Sequence, residues 1–440
     1  MTSNKNIFRI TYPIFLTLIA QNVINVTNTA FLGRVGEVEL GASAIAGVFY
    51  IAIYMVGFGF SQGAQILIGR RNGEENYSQI GPIFNNGLLF NFLLGAIIFA
   101  LSVVGAPHLM KLLVSSDHIY KASIEYLDWR IYGFFFAFLN VMFRGLYVGI
   151  TQTKILTTSA IIMAVVNVVF DFLLIFGNFG FPKMGIAGAG LSSVISEAVT
   201  LVYLVVYTIL YTDIKKYGIF QLKKVDWKAI GQMLDLSIFI MFQYFISIST
   251  WFMFFIFIER MGERQLAVTN IGRSLYILLM IPGMALSTTV NTVVSNLIGA
   301  DRKEEVVPFI NRIVGLSLIL VVPLMVLTYT FPELFARVYT DNPSLIEACV
   351  PVMHVVSIAM IFCAISSIIF NGVSGTGNTR TAFFIEFITL FFYLSYVYYT
   401  AIVNPGAVAT VWYSEFVYWI IIGSLGYWYL LKGNWRSREI

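Results

Sequence analysis

Apolar positions in this chain neither alternate nor mark one face of a helix; they run on. Twelve mainly apolar stretches follow one another, at 7–32, 42–68, 83–106, 124–150, 155–178, 185–211, 232–258, 265–296, 306–331, 346–374, 380–403 and 406–431. Each is long enough to cross a hydrocarbon layer as a helix, which needs about 20 residues. Barrel strands would instead alternate over about 10 residues. A continuous apolar run satisfies its backbone inside a bilayer only as a helix. Polar punctuation falls between the runs, as at Asn72-Gly-Glu-Glu75, Asp301-Arg-Lys303 and Asn404-Pro-Gly406, which read as loops. The pattern predicts an all-α integral membrane protein of twelve transmembrane helices.

The chain also repeats itself. Slid by 226 residues, 11 of the 43 positions between Phe31 and Gly73 match without a gap, among them Arg34/Arg260, Gly36/Gly262, Glu37/Glu263 and Tyr50/Tyr276. The same offset pairs Pro82/Pro308, Asn85/Asn311, Gly149/Gly375 and Thr153/Thr379, and an offset of 218 pairs Ser196-Glu197 with Ser414-Glu415. Two homologous six-helix lobes follow. Six is even, so both halves start on the same side as parallel repeats about an axis along the membrane normal. The expected divisions are an N-terminal lobe at 1–211, a basic linker at 212–229 and a C-terminal lobe at 230–440.

Composition agrees. Of 440 residues 58% are apolar and 11% charged, against about 45–50% and 25% in soluble domains. Disorder needs low hydrophobicity and is excluded. Two cysteines exclude a disulfide scaffold. Cys349 and Cys363 fall in one predicted helix, about 21 Å apart at 1.5 Å per residue, and read as small buried hydrophobes. A net charge of +4, from 27 basic and 23 acidic residues, does not point to nucleic acid. The first apolar stretch lacks a cleavage site and reads as a retained span. With the termini inside, 17 Lys and Arg lie on the inner side and 7 outside, while Arg130, Arg144 and Arg273 fall within spans. The bias places both termini in the cytoplasm.

Ionisable groups within spans are expensive and ask for a reason. Asn167 and Asp171, four residues apart, share a helix face. An amide beside a carboxylate can hold a small cation or a proton. Ser193 and Glu197 have the same spacing on the next helix and could complete that site, although Ser192, Ser193 and Ser196 also suit close helix packing. Glu386 and Glu415 lie in the last two spans, with Trp412, Tyr418 and Trp419 about a turn from Glu415. Carboxylate and aromatics together suit an organic cation, so Glu386, Glu415 and Trp412 are candidate substrate-cavity residues; an interfacial aromatic belt is the alternative and the commoner explanation of such residues. Gly59-Phe-Ser-Gln-Gly63 matches the nucleophile-elbow pattern but sits inside an apolar helix, so a small-residue packing face is the better reading, as at Gly145 and Gly149. The three histidines are scattered, and no catalytic or metal-site motif is present. An enzyme is therefore not expected.

Three stretches resemble the multidrug and toxic compound extrusion (MATE) family: Phe31-Leu-Gly-Arg-Val-Gly-Glu-Val-Glu-Leu-Gly41; Asn167-Val-Val-Phe-Asp171 with Gly185-Ile-Ala-Gly-Ala-Gly-Leu-Ser-Ser193; and Gly375-Thr-Gly-Asn-Thr-Arg380. The resemblance runs over nearly the whole chain. It implies two six-helix lobes, a cavity between them, and drug export driven by H+ or Na+. It is closer to the DinF-like branch, whose coupling site lies in the N-terminal lobe. Asn167, Asp171 and Ser193 match three of that site's positions. At a fourth, where that branch has an Asp, this chain has Asn28. Glu197 is then the candidate second carboxylate. The NorM-like branch uses acids in the seventh and tenth spans; here 236–258 and 350–376 contain none.

The expectation is a multidrug efflux transporter of the bacterial plasma (inner) membrane, exchanging H+ or Na+ for amphipathic or cationic compounds by alternating access. It needs no cofactor beyond the coupling ion, with Na+ at Asp171 and Asn167 as the possible metal, and works as a monomer in the lipid bilayer. A flippase for a lipid-linked oligosaccharide is the alternative, with Arg144 and Arg273 its only support. A membrane-embedded enzyme would need a catalytic cluster that the sequence does not show.

Overall fold

The computed structural model describes residues 3–114, 116–221 and 225–437. Lys223, Lys224 and Arg438, counted above on the terminal side, lie outside the described residues. Helices account for the architecture, and no strand occurs among the described residues. In chain order they are α1 (Asn4–Val35), α2 (Glu37–Gly73), α3 (Ile80–Leu113), α4 (Asp117–Arg130), α5 (Gly133–Gly149), α6 (Lys154–Phe176), α7 (Ile186–Tyr211), α8 (Ile214–Tyr217), α9 (Trp227–Glu259), α10 (Glu263–Gly299), α11 (Val306–Thr330), α12 (Pro332–Ala336), α13 (Pro343–Gly375), α14 (Thr379–Tyr398), α15 (Val408–Trp412) and α16 (Ser414–Lys432). Each of the twelve apolar runs is found as helix. Eleven spans are continuous enough to cross a membrane by length and composition; a twelfth is α4 with α5, bent by 55° at a short break.

Two compact units form, one of Phe8–Met241 and one of Phe242–Ile440 with Met1–Ile7. The division falls inside α9, whose first turns pack on the N-terminal unit. There Ser237 Oγ donates to the Phe60 carbonyl at 3.0 Å. A Cβ at Gly63 would fall 2.0 Å from Ser237 Oγ, so only glycine permits that approach. Gly59 and Gly63 are thus a packing face, as the apolar context indicates, and no nucleophile elbow.

The helices are sided as lipid requires. On α3, Leu93, Ile97, Leu101 and Val104 recur at helical spacing and are exposed. Asn91 of the same helix is fully buried and donates to Ser61 Oγ at 3.1 Å and to the Phe138 carbonyl at 3.0 Å. Polar side chains act here as glue between helices. Local signals set the helix starts: Asn342 caps α13 with Pro343 following, and Asn378 caps α14. Within α1, Pro13 lacks the N–H that would bond the Arg9 carbonyl. Thr153 supplies a hydroxyl instead, 3.5 Å from Arg9 O and 2.9 Å from Ile10 O. Cys349 and Cys363 are buried free thiols, in keeping with their reading as small buried side chains.

Candidate functional site

The site in the N-terminal unit is built by α1, α6 and α7. Helical spacing on α6 stacks Asn167 above Asp171, and both are buried. Asp171, with 0% exposure, has no ion-pair partner among the described residues. Donors hold it instead. Ser192 Oγ donates to Asp171 Oδ1. The end of the Asn28 amide from α1 sits 2.5 Å from Asp171 Oδ2 and 2.8 Å from Asn167 Oδ1; with its nitrogen there, it donates to both and to the Ile24 carbonyl at 3.1 Å. Asn167 Nδ2 in turn donates to Ser193 Oγ at 3.4 Å. Four of the expected residues, Asn28, Asn167, Asp171 and Ser193, therefore come together. Ser192 was missed: the four-residue spacing to Glu197 pointed to Ser193, whereas its neighbour, one residue of rotation away, is the serine that donates to Asp171.

The arrangement has a definite chemistry. A carboxylate, two amide oxygens and two hydroxyls are hard oxygen ligands suited to a cation such as Na+. They equally accept a proton. Turning the Asn28 amide over would set its oxygen against Asp171 Oδ2, Asn167 Oδ1 and the Ile24 carbonyl, at 2.5, 2.8 and 3.1 Å. That arrangement is stable only with a proton or cation among them.

Glu197 does not join this cluster. It is tied to Arg130 at the end of α4, Nη2 to Oε1 at 2.7 Å and Nη1 to Oε2 at 2.9 Å. The Arg130 guanidinium also lies 3.5 Å over the Tyr50 ring, and Tyr50 stacks on Phe134 at 4.6 Å. The Tyr50 hydroxyl completes the arrangement at 3.4 Å from each carboxylate oxygen. Both charges are thus paired inside the unit, and in this structure Glu197, expected as a second carboxylate of the cluster, stands with Arg130 instead. Arg130 lies 67 residues before its partner, so no local pattern announced the pair.

In the C-terminal unit Glu386, Glu415 and Trp412 are sealed, at 3%, 4% and 1% exposure. Ser247 and Tyr418 donate to Glu386 Oε1, both at 2.8 Å. Tyr276 donates to Glu415 Oε2 at 2.6 Å, Tyr393 to Oε1 at 3.4 Å, and the Trp412 indole to Thr269 at 3.4 Å. These three side chains do not present an open substrate surface in this structure. Among the described residues no group of three or more His, Cys, Asp or Glu is placed to hold a metal. Arg144 and Arg273 are half-buried, each over a phenylalanine ring, Phe58 at 5.1 Å and Phe255 at 5.0 Å.

Comparison with known proteins agrees with this architecture. A family model described as MatE matches residues 13–173 and 240–399, once in each half and at a spacing that follows the internal repeat. A probable multidrug resistance protein NorM of Thermotoga maritima is 25% identical over 394 residues, 88% of this chain and 83% of the relative. A second protein of that description, from Agrobacterium fabrum, is 28% identical over 284 residues, 63% of this chain and 60% of the relative. A solved MOP superfamily transporter from Pyrococcus furiosus shares the fold at TM-score 0.90 and 15% identity, over 99% of this chain and 97% of that one.

Proposed function

Because this chain belongs to the MatE family of transporters, we propose that it is a secondary active exporter of amphipathic, often cationic compounds, driven by one H+ or Na+ per binding event at Asp171. The relatives described as probable multidrug resistance proteins support the substrate class. The placement of the ion rests on one observation. A fully buried carboxylate, ringed by Asn28, Asn167 and Ser192, has no cationic side chain to balance it among the described residues. Isolated buried charge is strongly unfavourable, so this group favours a bound proton or cation. That follows the DinF-like pattern rather than the NorM-like one. Asn28 replaces a second acid, which leaves a single formal charge to neutralise.

Occupancy of the site then biases α1 against α6 and α7. With Asp171 empty and charged, the Asn28 amide donates to it. With a proton or cation bound, the amide gains by presenting its oxygen. The two states bind α1 differently, and that difference is what an ion needs in order to shift a conformational equilibrium. The export of ethidium from drug-sensitive cells tests the reading. Asp171→Asn keeps the shape of the side chain and removes the titratable, ion-binding oxygen. Energised efflux should be lost while the variant is made at wild-type levels. Undiminished efflux from a well-expressed variant overturns the reading.

A further inference from the structure

The repeat that relates the two halves also relates their buried acids. Tyr50 corresponds to Tyr276 and Glu197 to Glu415. The contact is preserved: Tyr50 meets Glu197 at 3.4 Å, and Tyr276 meets Glu415 at 2.6 Å. What differs is the counter-charge. The 226-residue offset carries α4 and α5 onto α13 and places Val356, fully buried, where the N-terminal half has Arg130. The same offset places Tyr393 and Val397 where the N-terminal half has Asn167 and Asp171. Each half therefore keeps an acid without a cation, but at a different position. In the first half the arginine silences Glu197 and leaves Asp171. In the second, Asp171 has no counterpart and Glu415 has lost its arginine.

From this we infer that Glu415, with Glu386 beside it, is a second proton-binding site, seated in the core of the C-terminal unit. The hydrogen-bond directions speak against a metal ion, and the proton is favoured by the burial of the carboxylate with no cationic side chain paired to it among the described residues. An indole N–H only donates, so the Tyr276 oxygen accepts from Trp419 at 3.1 Å while its own O–H donates onward to Glu415. Tyr393 donates to the other oxygen. A metal cation needs converging acceptor oxygens, whereas these neighbours offer hydrogens. Aromatic rings close around the position: Trp412 and Trp251 lie 6.0 and 6.4 Å from Tyr276, and Phe254 lies 5.4 Å from Trp412. A drug-sized cation does not enter so sealed a sleeve; a proton does.

The titratable groups facing Glu415 are Tyr276 of α10, Cys363 of α13, Tyr393 of α14 and Tyr418 of its own helix, and no basic side chain is among them. Tyr418 also donates to Glu386 and packs edge-on against Tyr393 at 5.9 Å, linking the two acids. Glu386 is itself buried, and its Oε2 has no hydrogen-bond partner. An unpartnered carboxylate oxygen with no counter-charge is the second sign that this cluster takes up a proton. Only an O–H bond is made or broken, with water as donor and acceptor of the proton.

This site is independent of the Asp171 reading, and its test does not use transport. Difference infrared spectroscopy on the full-length protein in lipid, titrated with pH in H2O and D2O, reads protonated buried carboxyls directly. The wild type should show a protonated-carboxyl band that disappears on titration. Glu415→Gln, which keeps volume and acceptor, should lose its main component, and Glu386→Gln should shift or remove the rest. Asp171→Asn should keep both. Val356→Arg, if it folds, should lose the Glu415 component by recreating the arginine pair. A band identical in wild type, Glu415→Gln and Glu386→Gln, or no protonated-carboxyl band at all, overturns the inference.

Discussion

Asn28 sets how many charges the N-terminal site carries. Its amide lies 2.5 Å from Asp171 Oδ2, so Asn28→Asp would place two carboxylates in contact, and neutralising both takes one more proton or cation than Asp171 alone. That variant should move one more positive charge per cycle, read as a changed reversal potential in proteoliposomes; an unchanged potential would contradict the site. Ser192 is the second donor to Asp171. A hydrogen bond to a charged group contributes about 1.5–3 kcal/mol. Ser192→Ala should therefore change the half-saturating coupling-ion concentration about tenfold or more, whereas Ser193→Ala, whose hydroxyl meets only Asn167 at 3.4 Å and its own helix, should do less. At this scale the sequence was informative where spacing is informative. Asn167 and Asp171 are legible because helical periodicity fixes their shared face. Glu197 misled because a buried acid looks the same in sequence whether or not an arginine 67 residues away neutralises it.

Helix positions were legible from apolar runs because length and hydropathy are properties of single segments. The break between α4 and α5 was not, because it depends on what the break accommodates. A Cβ at Gly133 would fall 2.2 Å from Arg130 Nη1 and 2.5 Å from Glu197 Oε2, both held by their ion pair. Gly133→Ala should force that pair apart, and splitting a buried pair typically costs about 3–5 kcal/mol. A markedly lower thermal midpoint in detergent is the expected result, and removing Arg130 and Glu197 together should relieve it. In α1, Thr153 answers the carbonyls around Pro13. Thr153→Val keeps the shape and leaves the Ile10 carbonyl without this donor, for a loss of about 1–3 kcal/mol. The same stability measurement checks it.

At the scale of the molecule the repeat was the most informative feature of the sequence. It survives at Gly36/Gly262, each the residue before a long helix, and at Tyr50/Tyr276, each meeting a buried glutamate. Function departs from the symmetry: Asp171 faces Val397 across the repeat, and Arg130 faces Val356. Single substitutions of this kind change chemistry without changing fold, which is why fold was easier to read than site. The family and the transporter fold are settled by the match in both halves; the coupling ion and its seat are the claims still to be measured. The most direct measurement is drug uptake into proteoliposomes holding wild type or Asp171→Asn, under an imposed proton gradient and, separately, a sodium gradient. One gradient should drive the wild type and neither the variant. Gradient-driven transport by Asp171→Asn at the wild-type rate would contradict the account.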